Sequence, residues 1–243
     1  MKWLAKAGFT QSYTYFTWRN FKQELIDYFT ELTTPPVSDY MRGNLFTNTP
    51  DILPFFLQEG GRPGFKIRAV LAATLSSVYG IYSGFELCEA TPVPGKEEYL
   101  NSEKYDFKVW DWDREGNIRA HIARINQIRK EHQALHEYDN LRFYWSDNDN
   151  ILVYGKQSPD KSDNILVVVN LDPFQTHDTM IHFPIEDFDM PPNEQYEARD
   201  LITGERYLWT NGSQWVRLDP VKEPAHIIHL RRWEHVDYVD VET

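Results

Sequence analysis

Asp51 is the first group in this sequence placed where it could do chemistry. It closes the stretch from Asn44 to Asp51. Leu45 and Phe46 are residues that sit readily in a sheet. Pro50 has no N–H to give to a ladder, so strand pairing must end there. The carboxylate of Asp51 is then left just beyond a strand end, where many α/β enzymes keep their reactive groups. The plain role for a carboxylate after a proline is a turn or a helix cap. Glu86 and Glu89 flank Cys88 and invite a metal reading, but buried, hydrogen-bonded carboxylates or a capped helix start suit them better. The histidines, His121, His132, His136, His177, His182, His226, His229 and His235, show no ligand spacing, so surface or loop positions are expected. In a strand, His226 and His229 point to opposite faces. With one cysteine the chain forms no intrachain disulfide and no Cys-based zinc site. Cys88 reads as an inert buried thiol.

The elements that must position Asp51 alternate in kind. Phe9 to Thr17 is dense in aromatic and β-branched residues and reads as a buried strand. Asn20 opens a helix, with Gln23 in a capping-box position and an apolar stripe of Phe21, Leu25, Tyr28, Phe29 and Leu32. Thr33 to Pro36 stops it. After the strand at Leu45, Pro63 starts a second helix through Phe65, Ala69, Leu71, Ala72 and Leu75. A short strand follows at Val78 to Tyr82. The connection from Glu86 to Gly116 is too long for an ordinary link. Its Tyr99, Tyr105, Phe107, Trp110 and Trp112 are not the residues of a disordered linker. Asn117 opens a third helix, with Ile118, Ile122, Ile125 and Ile128 on one side. Strand–helix alternation of this kind specifies a parallel sheet with crossover helices. Three such units make an open wedge, because a closed barrel needs eight.

Near residue 135 the period changes. Strands are expected at Leu141–Trp145, Ile151–Lys156, Asn164–Asn170, Thr179–Phe183, Gln195–Asp200, Arg206–Leu208, Gln214–Leu218 and His226–Leu230. Turn signals such as Asp147 to Asn150, Thr203-Gly204 and Asn211-Gly212 separate them. This spacing predicts an antiparallel sandwich.

Composition narrows the partners. Aromatic residues make up 15% of the 243 residues, and the formal net charge is −12. A surface that acidic repels phosphate backbones and anionic lipid, which argues against nucleic acid and membranes as partners. The most apolar stretch, Ile67 to Cys88, is broken by Ser76, Ser77, Gly80 and Ser83 and falls short of a span of about 20 residues. The first residues lack the apolar core of a signal peptide. A cytoplasmic location is expected.

Four stretches together resemble one enzyme family. They are Phe9 to Arg19, Asn48-Thr49-Pro50-Asp51-Ile52, Tyr82 to Glu89, and Glu97 to Tyr105. In this order they resemble the bacterial α-1,4-glucan:maltose-1-phosphate maltosyltransferases, of the α-amylase-type glycosidase superfamily. The resemblance runs to about Trp233. It implies an α/β plus all-β architecture, the last three βα units of a (β/α)8 TIM barrel followed by an antiparallel β-sandwich. Residues 1–134 would be the partial barrel, 135–233 the carboxy-terminal sandwich and 234–243 a polar tail. Asp51 falls on the last of three catalytic carboxylates, the transition-state stabiliser. Most of the superfamily has a His directly before this Asp. Pro50 stands there instead, preceded by Thr49, as in the maltosyltransferase branch. Lys104 and Tyr105 fall on a Lys-Tyr pair that contacts the donor sugar, carried on a loop arching over the barrel end beside Asp51.

The resemblance implies retaining transfer of maltosyl from α-maltose 1-phosphate to an α-1,4-glucan, with no metal or organic cofactor, by a homodimer. It also implies that the nucleophilic Asp and the acid/base Glu lie upstream of Met1, so that the chain alone is inactive. The alternative of a different class is a non-catalytic, glucan-binding remnant. The portion before residue 135, with an open strand edge, is expected to be less stable on its own than the sandwich.

Overall fold

The computed structural model describes residues 1–9, 11–104 and 106–233. The chain starts with a short helix, α1 (Lys2–Lys6). Three strands then form a parallel sheet in the order β1 (Gln11–Tyr13), β2 (Arg42–Phe46) and β3 (Tyr79–Gly80). Parallel neighbours require long crossovers. Helix α2 (Lys22–Thr33) and the single turn α3 (Val37–Tyr40) join β1 to β2, and α4 (Phe55–Leu75) joins β2 to β3.

The first strand is shorter and more open than its composition predicts. After Tyr13 the chain turns into a 3-10 turn, Tyr15–Trp18. Phe16 and Thr17 are buried, whereas Phe9, Tyr13 and Tyr15 are exposed. The buried Arg68 guanidinium of α4 fixes this turn. It donates to the carbonyls of Phe16 (2.6 Å) and Arg19 (2.6 Å) and lies over the Phe16 ring. Helix α2 is capped by Glu24, whose carboxylate accepts the N–H groups of Asn20 (3.3 Å) and Phe21 (3.4 Å). Gln23, expected in that role, instead donates to Asp27 (2.7 Å). Leu25, Phe29 and Leu32 form the buried stripe, and Phe21 stays outside it.

Helix α4 begins at Phe55, eight residues before the expected start, and breaks at Gly61 (φ +53°). That left-handed conformation suits glycine, which has no Cβ to clash. Pro63 then opens the long inner stretch, where its fixed φ is tolerated. From Gly64 to Leu75 every residue is buried. A helix buried all round belongs in the middle of a core, and its two charged residues, Lys66 and Arg68, are both hydrogen-bonded there. The connection after β3 is irregular up to α5 (Arg119–Glu131). Ile118, Ile122, Ile125 and Ile128 pack inward as expected.

All eight later strands form: β4 (Arg142–Ser146), β5 (Ile151–Gln157), β6 (Asn164–Asn170), β7 (His177–His182), β8 (Tyr196–Asp200), β9 (Arg206–Trp209), β10 (Ser213–Leu218) and β11 (Ala225–Arg232). They pair antiparallel in the order β10-β7-β4-β5-β6-β11-β8-β9. Strand β4 turns the corner between two layers, because Arg142–Tyr144 pair with β5 and Trp145–Ser146 pair with β7. Between the layers lie Ile151, Val153, Leu166, Val168, Ile181, Val216 and Ile228. The other faces of β5, β6 and β11 carry Leu152, Tyr154, Ile165, Val167 and Ile227 into the core built on α4. Strands β5 and β6 are buried on both sides, which explains their near-continuous apolar runs.

Polar bonds stitch the same seam. Lys22 Nζ donates to Ser146 Oγ (2.8 Å), Lys66 pairs with Glu223 (2.7 Å), and Arg124 donates to the Leu201 carbonyl (2.7 Å). No described helix is long and apolar enough to cross a membrane.

Candidate active site

The backbone carries Asp51 to an exposed position by a short, fixed route. Strand β2 ends at Phe46, and Thr47 N–H still reaches the Gly80 carbonyl (3.1 Å). Pairing therefore stops before Pro50. Thr49 and Ile52 exchange two backbone bonds of 3.1 Å around Pro50 and Asp51, which closes a tight turn. Asp51 N–H donates to Thr49 Oγ1 (3.2 Å). The Asp51 side chain is 63% exposed, and its Oδ1 lies 2.6 Å from Lys104 Nζ, which is 44% exposed. So exposed a pair adds ~1 kcal/mol or less to the fold. It brings two opposite charges to one place without being needed to hold that place together.

A buried network delivers the loop that carries Lys104. Asn48, fully buried, accepts the Tyr82 N–H (2.9 Å) and the Thr47 hydroxyl (3.0 Å) at Oδ1 and donates to the Tyr99 hydroxyl (2.6 Å). The Tyr82 hydroxyl in turn accepts the Glu103 N–H (2.7 Å), one residue before Lys104. Burial pushes the pKa of both phenols up, so both stay neutral hydrogen-bonding groups. Glu97 forms a second tie. Its carboxylate accepts the Trp18 indole N–H (3.1 Å) and the Phe55 N–H at the start of α4 (2.9 Å), where the helix dipole favours an anion.

Two grooves meet at the turn. One, of about 610 Å3, runs from Tyr13 past Asp51 to Glu103 and Lys104. The other, of about 630 Å3, is lined by Asp51, Tyr99, Asn101, Ser102 and Asp106. Tyr13 stacks on Phe46 with ring centres 4.8 Å apart and leaves part of its ring in the first groove. A carboxylate there can hold sugar hydroxyls or face a cationic ring, an ammonium can donate to a hydroxyl or pair with an anion, and an aromatic face can carry an apolar sugar face.

Asp51 and Lys104, far apart in sequence, therefore stand together. Tyr105 and the 234–243 tail lie outside the described residues. Asn48, Tyr82, Glu97 and Glu103 hold the site but carry no sequence signal of their own beyond lying in or beside the quoted stretches. Glu89 is a hydrogen-bonded carboxylate, accepting the Thr91 N–H (3.1 Å) and pairing with Arg114 (3.1 Å). The Glu86 carbonyl accepts the Ile118 N–H (2.8 Å) just before α5. Cys88 is half-buried, and burial pushes its thiol up to about 11, which keeps it protonated and unreactive. The histidine expectation needs correcting. His121, His132, His177, His226 and His229 are largely buried, each beside a carboxylate. Asp172 lies five residues before His177, but the carboxylates beside the other four come from distant parts of the chain, so their spacing gave no warning. His235 lies outside the described residues.

The family model described as GLGE, C-terminal matches residues 143–230. A maltosyltransferase from Myxococcus xanthus, named alpha-1,4-glucan:maltose-1-phosphate maltosyltransferase, is 53% identical over 98% of this chain and 36% of its own length. One of the same name from Pseudomonas aeruginosa is 49% identical over 94% of this chain and 34% of its own. The chain belongs to this maltosyltransferase family. It spans about a third of the length of these curated relatives. Among solved structures, an α-amylase from Geobacillus thermoleovorans superposes with a TM-score of 0.64 at 16% identity, over 88% of this chain and 44% of that one. A maltogenic α-amylase from Thermotoga neapolitana does so at 0.63 and 12%, over 94% and 52%. At these identities the likeness speaks to fold alone, and this chain matches about half of each α-amylase.

Proposed function

We propose that this chain forms part of the active site of a retaining maltosyltransferase. The reaction moves maltosyl from α-maltose 1-phosphate to the non-reducing end of an α-1,4-glucan and releases phosphate, a step in building storage glucan. The supporting observation is the Asp51 carboxylate at a strand end, 2.6 Å from Lys104, in a chain about half identical to proteins of that name. In this reading β1 to β3 with their helices are the last three βα units of a (β/α)8 barrel. Residues 1–134 make up that part, residues 135–233 the sandwich and residues 234–243 a polar tail. The homodimeric state and cytoplasmic location belong to the same proposal.

The bond from the donor's anomeric carbon to the phosphate oxygen breaks as a nucleophilic carboxylate adds to that carbon, and the acid/base residue gives its proton to the departing phosphate. The acceptor 4-hydroxyl then displaces the carboxylate and gives its proton to the acid/base residue. Such a pair sits about 5–5.5 Å apart. The proposal assigns both to the part of the protein that this chain does not span. Asp51 balances the oxocarbenium charge and grips ring hydroxyls. Lys104 and Tyr105 bind the donor sugar. No metal or organic cofactor enters these steps.

The test joins this chain to the preceding two-thirds of the Myxococcus xanthus relative and follows phosphate release with a maltooligosaccharide acceptor. The chimera should turn over, and Asp51→Asn should lower kcat by about 100- to 1,000-fold. An Asp51→Asn chimera that works at the parental rate would overturn the assignment.

A second reading, a glucan-binding rather than catalytic piece, has one observation in its favour. Trp145 and Trp215 are both exposed. Their cross-strand partners, His182 and Met180, alternate onto one face of β7, so both indoles lie on the same outer face. Calorimetry of the chain with maltodextrins separates the two readings. Binding that Trp215→Ala abolishes, in a chimera without turnover, would favour the second.

A further inference from the structure

Three side chains from three separate elements converge away from the Asp51 site. His132 sits at the end of α5, Asp163 in the β5–β6 connection and His229 on β11. One Asp163 oxygen, Oδ1, faces both rings. It lies 2.7 Å from His132 Nδ1 and 3.4 Å from His229 Nε2. The two imidazoles meet edge to face with centres 4.7 Å apart. One donor atom from each residue falls within 4.8 Å of the other two.

We propose that His132, Asp163 and His229 form a three-ligand site for a transition-metal ion of the Zn2+ class, tying the end of α5 to the sandwich. A tetrahedral ion with bonds of about 2.0–2.1 Å sets its donors about 3.3 Å apart. One of the three separations already matches. The other two reach it with side-chain shifts of roughly an ångström, because the ends of two imidazoles and a carboxylate turn about their χ bonds. Two imidazoles with one carboxylate select Zn2+ and its neighbours over Mg2+ and Ca2+, which prefer all-oxygen shells.

The surroundings fit a ligand set. The second Asp163 oxygen accepts the Ala134 N–H (2.9 Å), which fixes the carboxylate plane from behind, as supporting bonds do around bound metals. The three side chains are 12–16% exposed, which leaves an approach for the ion and for water in the fourth position. Without an ion, the same groups make a hydrogen-bonded cluster. That is the competing account.

The experiment uses the metal-stripped 243-residue chain titrated with ZnCl2 in a calorimeter at pH 7.5. The expected result is one saturable site in the micromolar range or tighter, weakened at least tenfold by His229→Gln and by His132→Gln. Absence of saturable binding, or binding that His229→Gln leaves unchanged, overturns the proposal. A folding defect in the variants is bypassed by two measurements on the parent chain. Co2+ should give the intense visible bands of a tetrahedral ion, whereas the weak spectrum of an octahedral one overturns the site. Saturating Zn2+ should raise Tm by about 5 °C, whereas an unmoved Tm counts against it.

Discussion

Asp51 and Asn48 lie three positions apart and should respond to substitution in opposite ways. Asp51 is exposed and its ion pair contributes little to the fold, so Asp51→Asn should change stability by no more than about 0.5 kcal/mol. Asn48 is buried and makes three hydrogen bonds. Asn48→Ala should cost about 2 kcal/mol, because the Tyr82 N–H and the Tyr99 hydroxyl lose their partner. It should also slow transfer in the chimera while Asp51 itself is intact. Urea titrations of the two variants test the contrast, and equal stability losses would contradict it. Asp51 was legible in the sequence because Pro50 must end a strand. Lys104 emerged only through the family resemblance, since nothing in a 53-residue separation signals contact. Asn48 and Glu97 were illegible because their roles are hydrogen bonds made only after folding. A second residue-scale prediction concerns Lys156, which is fully buried with Nζ donating to the Glu137 carbonyl (2.7 Å). Burial, reinforced by Arg129, brings its pKa down to about 7. Above pH 7 the folded protein has released this proton while the unfolded chain, with its ordinary value near 10.5, keeps it. Unfolding then takes up a proton, so stability rises with pH. Between pH 7 and 9 this one group should add about 2–3 kcal/mol. Lys156→Met should remove that slope and be more stable than the parent at pH 7, as chemical denaturation at the two pH values would show.

The elements show which signals survive folding and which do not. Every strand of the sandwich stood where alternation and turn residues placed it, with ends moved by at most two residues. The first strand did not, because aromatic density marks both buried strands and exposed aromatic surfaces, and Tyr13 and Tyr15 belong to the second kind. Helix α4 started early because local pattern cannot register that Glu97, 42 residues downstream, caps its first turn. The long connection is ordered by tertiary bonds of the same sort, and Gly84 is its tightest point. Gly84 has φ +92°, and a Cβ there would sit 2.6 Å from the Trp110 ring. The Trp110 indole donates to Glu103 (3.1 Å), beside Lys104. Gly84→Ala therefore meets both a left-handed backbone penalty and a clash. It should cost about 2–3 kcal/mol and shift Trp110 relative to Lys104. In the chimera, KM for the donor should rise more than stability alone explains. A variant with normal donor KM and normal Tm would show that Trp110 does not govern the loop.

At the scale of the whole molecule, the two parts are joined more tightly than the change of period near residue 135 suggested. Inner strands of the sandwich send one face into the core around α4. The Tyr154 and Thr74 hydroxyls meet across that boundary at 2.6 Å, both buried. The Thr74 hydroxyl also donates to the Val70 carbonyl (2.7 Å), so the Tyr154 hydroxyl must be the donor of the pair. The two deletions are then unequal. Tyr154→Phe leaves Thr74 with its bond to Val70 and should cost about 1 kcal/mol. Thr74→Val leaves the Tyr154 O–H buried with nothing to donate to and should cost about 2 kcal/mol or more. The double variant should lose less than the sum of the two, because the unpaired donor is gone. A shared core also means that the portion before residue 135 does not melt apart from the sandwich. Urea unfolding followed by tryptophan fluorescence and by far-ultraviolet circular dichroism should give coincident transitions. Amides of α4 should exchange as slowly as those of β5 and β6. Two separate transitions, with Tyr154→Phe moving only one of them, would mean that the seam is a contact between independent units.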